Sequence, residues 1–143
     1  MSELMKLHKA TFQHVESELG CYHDTRKEII VLRNEILRGG GRGDDENVGG
    51  GRGNLPGDPT GRKAVLLTSH KKLEQLQAIV DAIESIVERL PEEKQRLIHL
   101  KYWSRTQRLT WEGIGMEINV SARQAMRWRD EIIAAIAHKI GWR

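Results

Sequence analysis

The segment TWEGIGMEINVSARQAMRWRDEI (residues 110–132) carries the clearest structural pattern in the sequence. Thr110 and Ser121 are residue types that cap helices, and apolar residues at helical spacing follow each of them. Between these two runs, Asn119 tolerates the left-handed conformation that a tight turn needs. We therefore expect a short helix, a three-residue turn and a longer helix that ends at about residue 140.

The longer helix has two chemically different faces when it is wound at 100° per residue. One face is apolar and should pack inward; it comprises Ala125, Trp128, Ile132, Ile136 and Ile140. Arg123, Gln124 and Arg127 lie on the opposite face, in the first two turns. Arginine suits guanine O6 and N7, and glutamine suits adenine N6 and N7, each through paired hydrogen bonds. We predict that these three residues contact DNA bases; the alternative is a solvated basic face.

Further polar side chains around the turn are predicted to contact the DNA backbone. They are Lys101, Arg105, Arg108, Thr110, Ser121 and Arg129. Such contacts position a protein on DNA without specifying sequence. Arg129 has a second interpretation, in which it pairs with a neighbouring side chain instead. Asp130 and Glu131 follow on the base-reading face and would be repelled by phosphates, so we expect a shallow insertion by the first turns only.

The positive charge of the chain is concentrated in its last third. Residues 91–143 carry ten basic and six acidic side chains, whereas the whole chain of 143 residues has a net charge of +3. A local positive field suits a polyanionic partner. Trp103, Trp111 and Trp128 in this segment are expected to lie in a small core rather than to stack on bases, and the position of Trp142 is left open.

Several protein classes are disfavoured by what the sequence lacks. The six histidines show no metal-ligand spacing, and no catalytic arrangement can be argued, so we expect neither an enzyme nor a cofactor or metal. No apolar run approaches the roughly 20 residues of a membrane span, and the first residues do not form a signal peptide. The single cysteine, Cys21, fits a reducing compartment. A soluble cytoplasmic protein without membrane contact is expected.

The rest of the chain predicts an all-α fold with a long helical hairpin. A long amphipathic helix is indicated by apolar residues at every seventh position: Val15, Tyr22, Ile29 and Ile36. We expect this helix to be kinked at Gly20, its one helix-breaking residue. A second helix carries a seam of Leu73, Leu76, Val80, Ile83, Val87 and Leu90. The expected segments are a helix at 1–38, a Gly-rich loop at 39–61, a second helix at 62–90 and a DNA-binding domain at 91–143.

Two features of the hairpin have alternative interpretations. The seam can pack on the first helix of the same chain, or it can form a dimerising coiled coil, and two hairpins could combine into a four-helix bundle. We predict a homo-oligomer, a dimer or tetramer. The loop at 39–61 is predicted to be a linker, because it lacks the Lys-Ser/Thr and the preceding strand of a phosphate-binding loop. An RNA-contacting arginine–glycine segment is the other interpretation of its GGGRG motif.

Two families share motifs with the chain. PEEKQRLIHLKYW followed by LTWEGIGMEINVSARQAMRWRDEIIAAI resembles region 4 of sigma factors, a helix-turn-helix that binds promoter DNA, over about residues 90–140. Over most of the chain the similarity is to phage late-transcription regulators of the RinA/ArpU type. That similarity includes TFQHVESEL, the loop NVGGGRGNLPGDPTG, LPEEKQRL and the final GWR. One departure from the sigma pattern is Asn119, where a turn glycine is usual.

The resemblance implies a DNA-binding activator of phage packaging and structural genes, acting in the cytoplasm of the bacterial host. Its partners would be double-stranded DNA and, as a further candidate, host RNA polymerase. Two alternatives remain. A small-terminase-like packaging protein would share the helix-turn-helix but assemble into a ring, and an RNA polymerase adaptor would lack DNA affinity.

Overall fold

The chain is helical throughout the part that the computed structural model describes, which comprises residues 7–41, 59–106 and 108–143. The six α-helices in this part are α1 (Lys9–Gly20), α2 (Tyr22–Gly41), α3 (Pro59–Val87), α4 (Glu92–Ile98), α5 (Trp111–Ile118) and α6 (Ala122–Ile140). A π-helical turn, His99–Trp103, continues α4. No strand occurs among these residues, and the predicted all-α class is confirmed.

The first predicted helix is divided into two. α1 ends at Gly20, and Cys21 (φ −93°, ψ 9°) separates it from α2. Val15 and Tyr22 on either side of this break are both buried, so the seven-residue apolar pattern continues through it. The predicted kink at Gly20 is therefore confirmed.

Residues 24–78 form one of two separately packed units, and it is a helical hairpin. A β-carbon on Gly39 would lie 3.4 Å from Leu66 Cδ2, which brings the end of α2 beside the beginning of α3. Farther from that end, Lys72 Nζ lies 3.0 Å from a Glu28 carboxylate oxygen. Arg33 also donates a 2.7 Å hydrogen bond to the Gln77 side chain. The buried apolar residues of the hairpin unit are Ile29 and Leu32.

The second unit contains the residues up to 23 and from 79 onward. Within it α6 packs against α1, α4 and α5, and the π turn packs against α1. The largest fully buried side chains of this unit are Val15, Leu19, Ile83, Leu97, Ile98, Ile114, Ile133 and Ile136. We call it the α6 unit. It extends beyond the predicted segment 91–143, because α1 and the end of α3 supply part of its core.

The seam predicted on α3 is used within the chain at its C-terminal half. Val80, Ile83 and Val87 are buried in the α6 unit, where Ile83 is fully inaccessible. In the hairpin unit, Leu73 and Leu76 are half-buried. Full burial of an aliphatic side chain, as at Ile83, contributes about 1.5–3 kcal/mol to folding. The C-terminal half of the α3 seam is therefore part of the core of the α6 unit.

Residues 42–58, which form most of the predicted Gly-rich loop at 39–61, lie outside the described residues. They include its GGGRG motif and the acidic cluster of Asp44, Asp45 and Glu46. The helix before this segment extends farther than the sequence indicated, since α2 continues to Gly41. None of the described helices is both long and apolar enough to span a membrane.

Candidate nucleic-acid interface

The turn between α5 and α6 is built by capping contacts within a few residues. Thr110 Oγ1 accepts a 3.0 Å hydrogen bond from the Gly113 amide and caps α5. Ser121 Oγ accepts a 3.0 Å hydrogen bond from the Gln124 amide and caps α6. Between the two helices, Asn119 takes the left-handed conformation with φ 61° and ψ 42°. The predicted caps and turn are confirmed, and together they fix the direction in which α6 leaves the turn.

Gly115 lies where the turn folds back on α5. A β-carbon at this position would be 2.4 Å from the Val120 carbonyl oxygen, a distance that real contacts do not reach. The Gly115 carbonyl in turn accepts a 2.9 Å hydrogen bond from the Val120 amide. Gly115 therefore allows a close approach that a side chain would prevent, and the neighbouring group is the backbone of the turn.

Arg123 and Arg127 are exposed on the first two turns of α6. Residues at positions i and i+4 lie on the same face of a helix, so the two guanidinium groups point to the same side. Neither makes an ion pair, hydrogen bond or ring contact with another described residue. Two cations with free donors are therefore presented to solvent by the first turns of α6. We call Arg123, Gln124 and Arg127 the basic face.

Gln124 is half-buried, and the cap uses its backbone rather than its side chain. The sequence from Ser121 to Gln124 has the S-x-x-Q pattern of a capping box, which would also require the Gln124 side chain to bond back to Ser121. That reciprocal bond is absent from the hydrogen bonds of the described residues, where only the Ser121 acceptor contact occurs. The carboxamide is thus left with its donors and acceptor available, which removes the competition between capping and base contact.

Most of the predicted backbone-contact residues are exposed. Lys101, Arg105 and Arg108 are all exposed, and the Lys101 ammonium lies 4.9 Å from the centre of the Trp111 ring. Thr110 and Ser121 are also exposed. Although each hydroxyl accepts a capping bond, it retains its own proton and can donate it to a phosphate oxygen.

Arg129 differs from the other predicted contacts, because its side chain is only 17% exposed. Its Nη1 donates a 2.9 Å hydrogen bond to a Glu16 carboxylate oxygen, and its Nε donates a 2.6 Å bond to Asp130. The guanidinium carbon also lies 5.3 Å from the Phe12 ring centre and 4.9 Å from that of Trp111. The structure thus agrees with the second interpretation of Arg129, in which it pairs with neighbouring side chains. Arg129 is not part of the exposed basic face.

Tyr102 belongs to the same group of side chains. Its hydroxyl donates a 2.6 Å hydrogen bond to the carboxylate oxygen of Glu16 that also binds Arg129. Burial, followed by the Glu16 contact, raises the pKa of Tyr102 well above its usual range. Burial opposes the charge of Arg129, but its contacts with Tyr102 and Asp130 outweigh this and raise its pKa. Both groups therefore keep their protons, one neutral and the other cationic.

The sequence reasoning missed the π-helical turn His99–Trp103, which it included in one regular helix. The extra residue in this turn changes the direction of the side chains that follow it. Tyr102 reaches Glu16, and Trp103 Nε1 donates a 2.9 Å hydrogen bond to the Leu19 carbonyl. Single π turns occur frequently at functional sites. Here the turn attaches the end of α4 to α1.

Lys94 is a cation near α6 that the sequence reasoning did not select. Its ammonium lies 5.1 Å from the centre of the Trp128 ring, one helical turn beyond Gln124. In contrast, the neighbouring Arg96 is paired with Glu117 at 2.9 Å. Periodicity alone could not distinguish these two basic residues, since both lie in the same short helix.

The tryptophans are less deeply buried than predicted. Trp103, Trp111 and Trp128 are all half-buried, so the expectation of a core position is only partly right. Trp142 is also half-buried and stacks on the His14 ring, with 4.6 Å between centroids. Its amide bonds to the Ala137 carbonyl at 2.9 Å, while Gly141 adopts φ 98°. This is a glycine-dependent helix end, and it confirms that α6 stops at Ile140.

The architecture and this turn define an all-helical protein in which a capped helix presents a basic face. The chain matches the model of a family described as protein of unknown function (DUF722) over residues 19–138, and it belongs to that family. No curated protein and no solved structure matches the chain. The family description assigns no activity, so the similarity to RinA/ArpU-type regulators stays a prediction.

Proposed function

We propose that the protein binds double-stranded DNA at specific sequences through the first two turns of α6 and regulates transcription. The observation that carries the proposal is the pair of exposed, internally unpaired arginines, Arg123 and Arg127, on a helix whose start is fixed by a cap. Arginine is the side chain best suited to guanine in the major groove, because its two parallel donors match O6 and N7. Gln124, between them, is suited to adenine.

The residues around α6 support the same orientation on DNA. Lys101, Arg105 and Arg108 are exposed cations that precede α5 and can neutralise phosphates on one side of the groove. The hydroxyls of Thr110 and Ser121 lie at the starts of α5 and α6, where helix dipoles also favour negative charge. Phosphate contacts at these positions would fix the register of the basic face on the bases.

The acidic residues that follow the basic face are compatible with a shallow insertion. The Asp130 carboxylate is neutralised by Arg129 at 2.6 Å, and Glu131 is half-buried. Neither therefore presents a free carboxylate as exposed as the arginines before it. Repulsion of phosphate is reduced at this depth, and the first two turns of α6 remain the part that enters the groove.

The biological setting comes from the sequence resemblance. Similarity to sigma region 4 and to RinA/ArpU-type regulators supports an activator of phage late genes that acts in the bacterial cytoplasm, with host RNA polymerase as a candidate partner. We also propose self-association into a dimer or tetramer through the hairpin unit. This unit exposes apolar side chains on both of its helices, namely Ile30, Val31, Leu37, Val65 and Leu67.

Selection of bound duplexes from a random pool tests the DNA-binding proposal. We expect one enriched motif that contains guanine, and we expect its affinity to fall with salt by a slope of about −0.9 per phosphate neutralised. Binding of all sequences alike would contradict specific recognition. A flat salt response without enrichment would support the RNA polymerase adaptor instead.

The mass of the full-length protein in solution tests the assembly. A dimer or tetramer by light scattering agrees with a regulator that binds paired half-sites. A ring of eight or more copies would favour the small-terminase-like packaging protein, which needs the same DNA-binding helix but a different assembly. A monomer at all concentrations would contradict the proposed self-association.

A further inference from the structure

Four segments of the α6 unit meet at the side chain of Arg129. Its partners are Phe12 and Glu16 on α1, Tyr102 on the π turn, Trp111 on α5 and Asp130 beside it on α6. We call these six residues the Arg129 cluster. No other side chain for which contacts are described joins so many helices of this unit.

The cluster is tightly satisfied despite its partial burial. The Glu16 carboxylate accepts hydrogen bonds from both Tyr102 and Arg129, at 2.6 and 2.9 Å. Arg129 uses separate nitrogens for Glu16 and Asp130, so the two acids hold the guanidinium plane in one orientation. Charge-assisted bonds that fix a planar guanidinium in this way are directional, and a lysine ammonium cannot reproduce them.

The cluster also reaches the surface that is proposed to contact DNA. Arg129 lies two residues after Arg127 on α6, and Trp111 is the first residue of α5. The Trp111 ring contacts Arg129 at 4.9 Å and Lys101, a predicted phosphate contact, also at 4.9 Å. A continuous series of contacts therefore joins Glu16 on α1 to both the base-reading helix and a cation beside it.

We propose that Glu16, acting through Arg129, is a positioning residue for DNA recognition, so that α1 is a structural part of the DNA-reading unit rather than a separate dimerisation helix. In this role Glu16 contacts no DNA. It holds α6 at one angle relative to α5 and Lys101, so that bases and phosphates are contacted in the same register. The inference rests on the proposed DNA-binding function.

The test compares full-length variants on the selected duplex and on a scrambled duplex. Glu16→Gln keeps the shape of the side chain but removes its charge, and Arg129→Lys keeps the charge but loses the two directed bonds. We expect each to weaken selected-site binding by about threefold to thirtyfold. The affinity for the scrambled duplex should stay within twofold of the wild-type value, because no phosphate contact is removed. The salt slope should stay within twofold of the wild-type slope for the same reason.

Glu117→Gln is the matched control, since it removes one acid from the exposed ion pair with Arg96 in the same unit. It should leave selected-site and scrambled binding unchanged. The double variant Glu16→Gln/Arg129→Lys should distinguish the selected from the scrambled duplex no worse than the single variant with the larger loss does. The reason is that the two residues act through each other. Additive losses, or equal weakening of both duplexes, would overturn the positioning role.

A second measurement separates this inference from the proposed function. Hydrogen exchange without DNA should be faster in Glu16→Gln than in the wild type at residues 122–127, the first turns of α6. If the wild type does not distinguish the duplexes, the proposed function fails, while unchanged exchange in Glu16→Gln would independently refute the positioning role. Should Glu16→Gln not fold, Glu16→Asp keeps the charge, shortens its reach and must show a smaller loss of the same kind.

Discussion

The two units of the chain differ in how many large apolar side chains they expose. In the hairpin unit, charged groups pair across the helices, as Lys72 does with Glu28, while Ile30 and Leu37 remain 57% and 75% exposed. In the α6 unit most of the large apolar residues are buried, and the exposed cations Arg123 and Arg127 have no partner among the described residues. An exposed apolar surface suits a protein partner, and free guanidinium groups suit an anion. The two units are therefore suited to different partners.

The contrast is sharpest between two arginines on one helix. Arg127 is exposed and has no partner among the described residues, whereas Arg129 makes two ion pairs and is 17% exposed. Residues two positions apart on a helix point to different sides, so burial of one leaves the other free. Two arginines that look alike in the sequence thus differ in the structure: Arg129 is structural, and Arg127 is a candidate for DNA recognition.

Substitution of Gly115 should have the largest effect on the α6 unit. Gly115→Val would force the turn away from α5, because even a β-carbon would be 2.4 Å from the Val120 carbonyl oxygen. We expect a loss of about 3 kcal/mol in the free energy of unfolding, measured by urea denaturation. DNA binding should be lost with it.

Gly113→Ala is the control for this substitution. An added β-carbon there would be 3.4 Å from Leu109 Cβ, which is ordinary contact, and alanine favours helix more than glycine does. Stability should be unchanged or slightly higher. If Gly115→Val were tolerated equally well, the turn geometry on which the basic face depends would be incorrect.

Removal of Arg127 should affect DNA binding without affecting folding. Arg127→Ala is expected to weaken the selected site by about 1–3 kcal/mol and to relax discrimination at one base position. Its unfolding free energy should change by less than about 0.5 kcal/mol, because the side chain is exposed and unpaired. Lys101→Ala provides the comparison and should weaken all sequences alike. Unchanged affinity of Arg127→Ala for the selected site would place the recognition surface elsewhere.

The turn could be predicted because its determinants are local. Thr110 and Ser121 each accept a hydrogen bond from the amide three residues later, Asn119 acts through its own backbone conformation, and Gly115 is separated from Val120 by only four residues. The period of the apolar residues predicted the helices for the same reason. Information of this kind is contained in a short window of sequence.

The environment of Arg129 could not be predicted in the same way. Its main partner, Glu16, is 113 residues away in the chain, and no periodic pattern connects the two. The π turn depends on that same docking of α1, since it directs Tyr102 toward Glu16. Helical periodicity, by contrast, placed Ile29 on the inward stripe, where it is buried, and left Ile30 and Leu37 off that stripe, where they are exposed.

Charges introduced into the hairpin unit should show whether its exposed apolar residues, rather than those of the α6 unit, form the proposed interface. Ile30→Glu with Leu37→Glu places two acids on exposed apolar positions, and we expect the dissociation constant of the proposed oligomer to rise by about tenfold or more. Sedimentation over a range of concentrations measures this change. Met116→Glu is the control, because Met116 is 79% exposed but lies in the α6 unit. Equal dissociation in both variants would contradict a hairpin interface.

Alkaline pH should produce the smallest effect, through Tyr102 in the α6 unit. Burial and the Glu16 carboxylate raise its pKa in the folded chain, whereas in the unfolded chain it titrates near its ordinary value of about 10. The unfolded state therefore loses this proton first as pH rises, and the contribution of Tyr102 to stability decreases above about pH 10. Tyr102→Phe should be less stable at neutral pH, by about 1 kcal/mol for the lost hydrogen bond, but should lose less stability between pH 9 and 11. Urea midpoints at several pH values measure both slopes, and parallel slopes for the variant and the wild type would show that Tyr102 does not titrate differently in the two states.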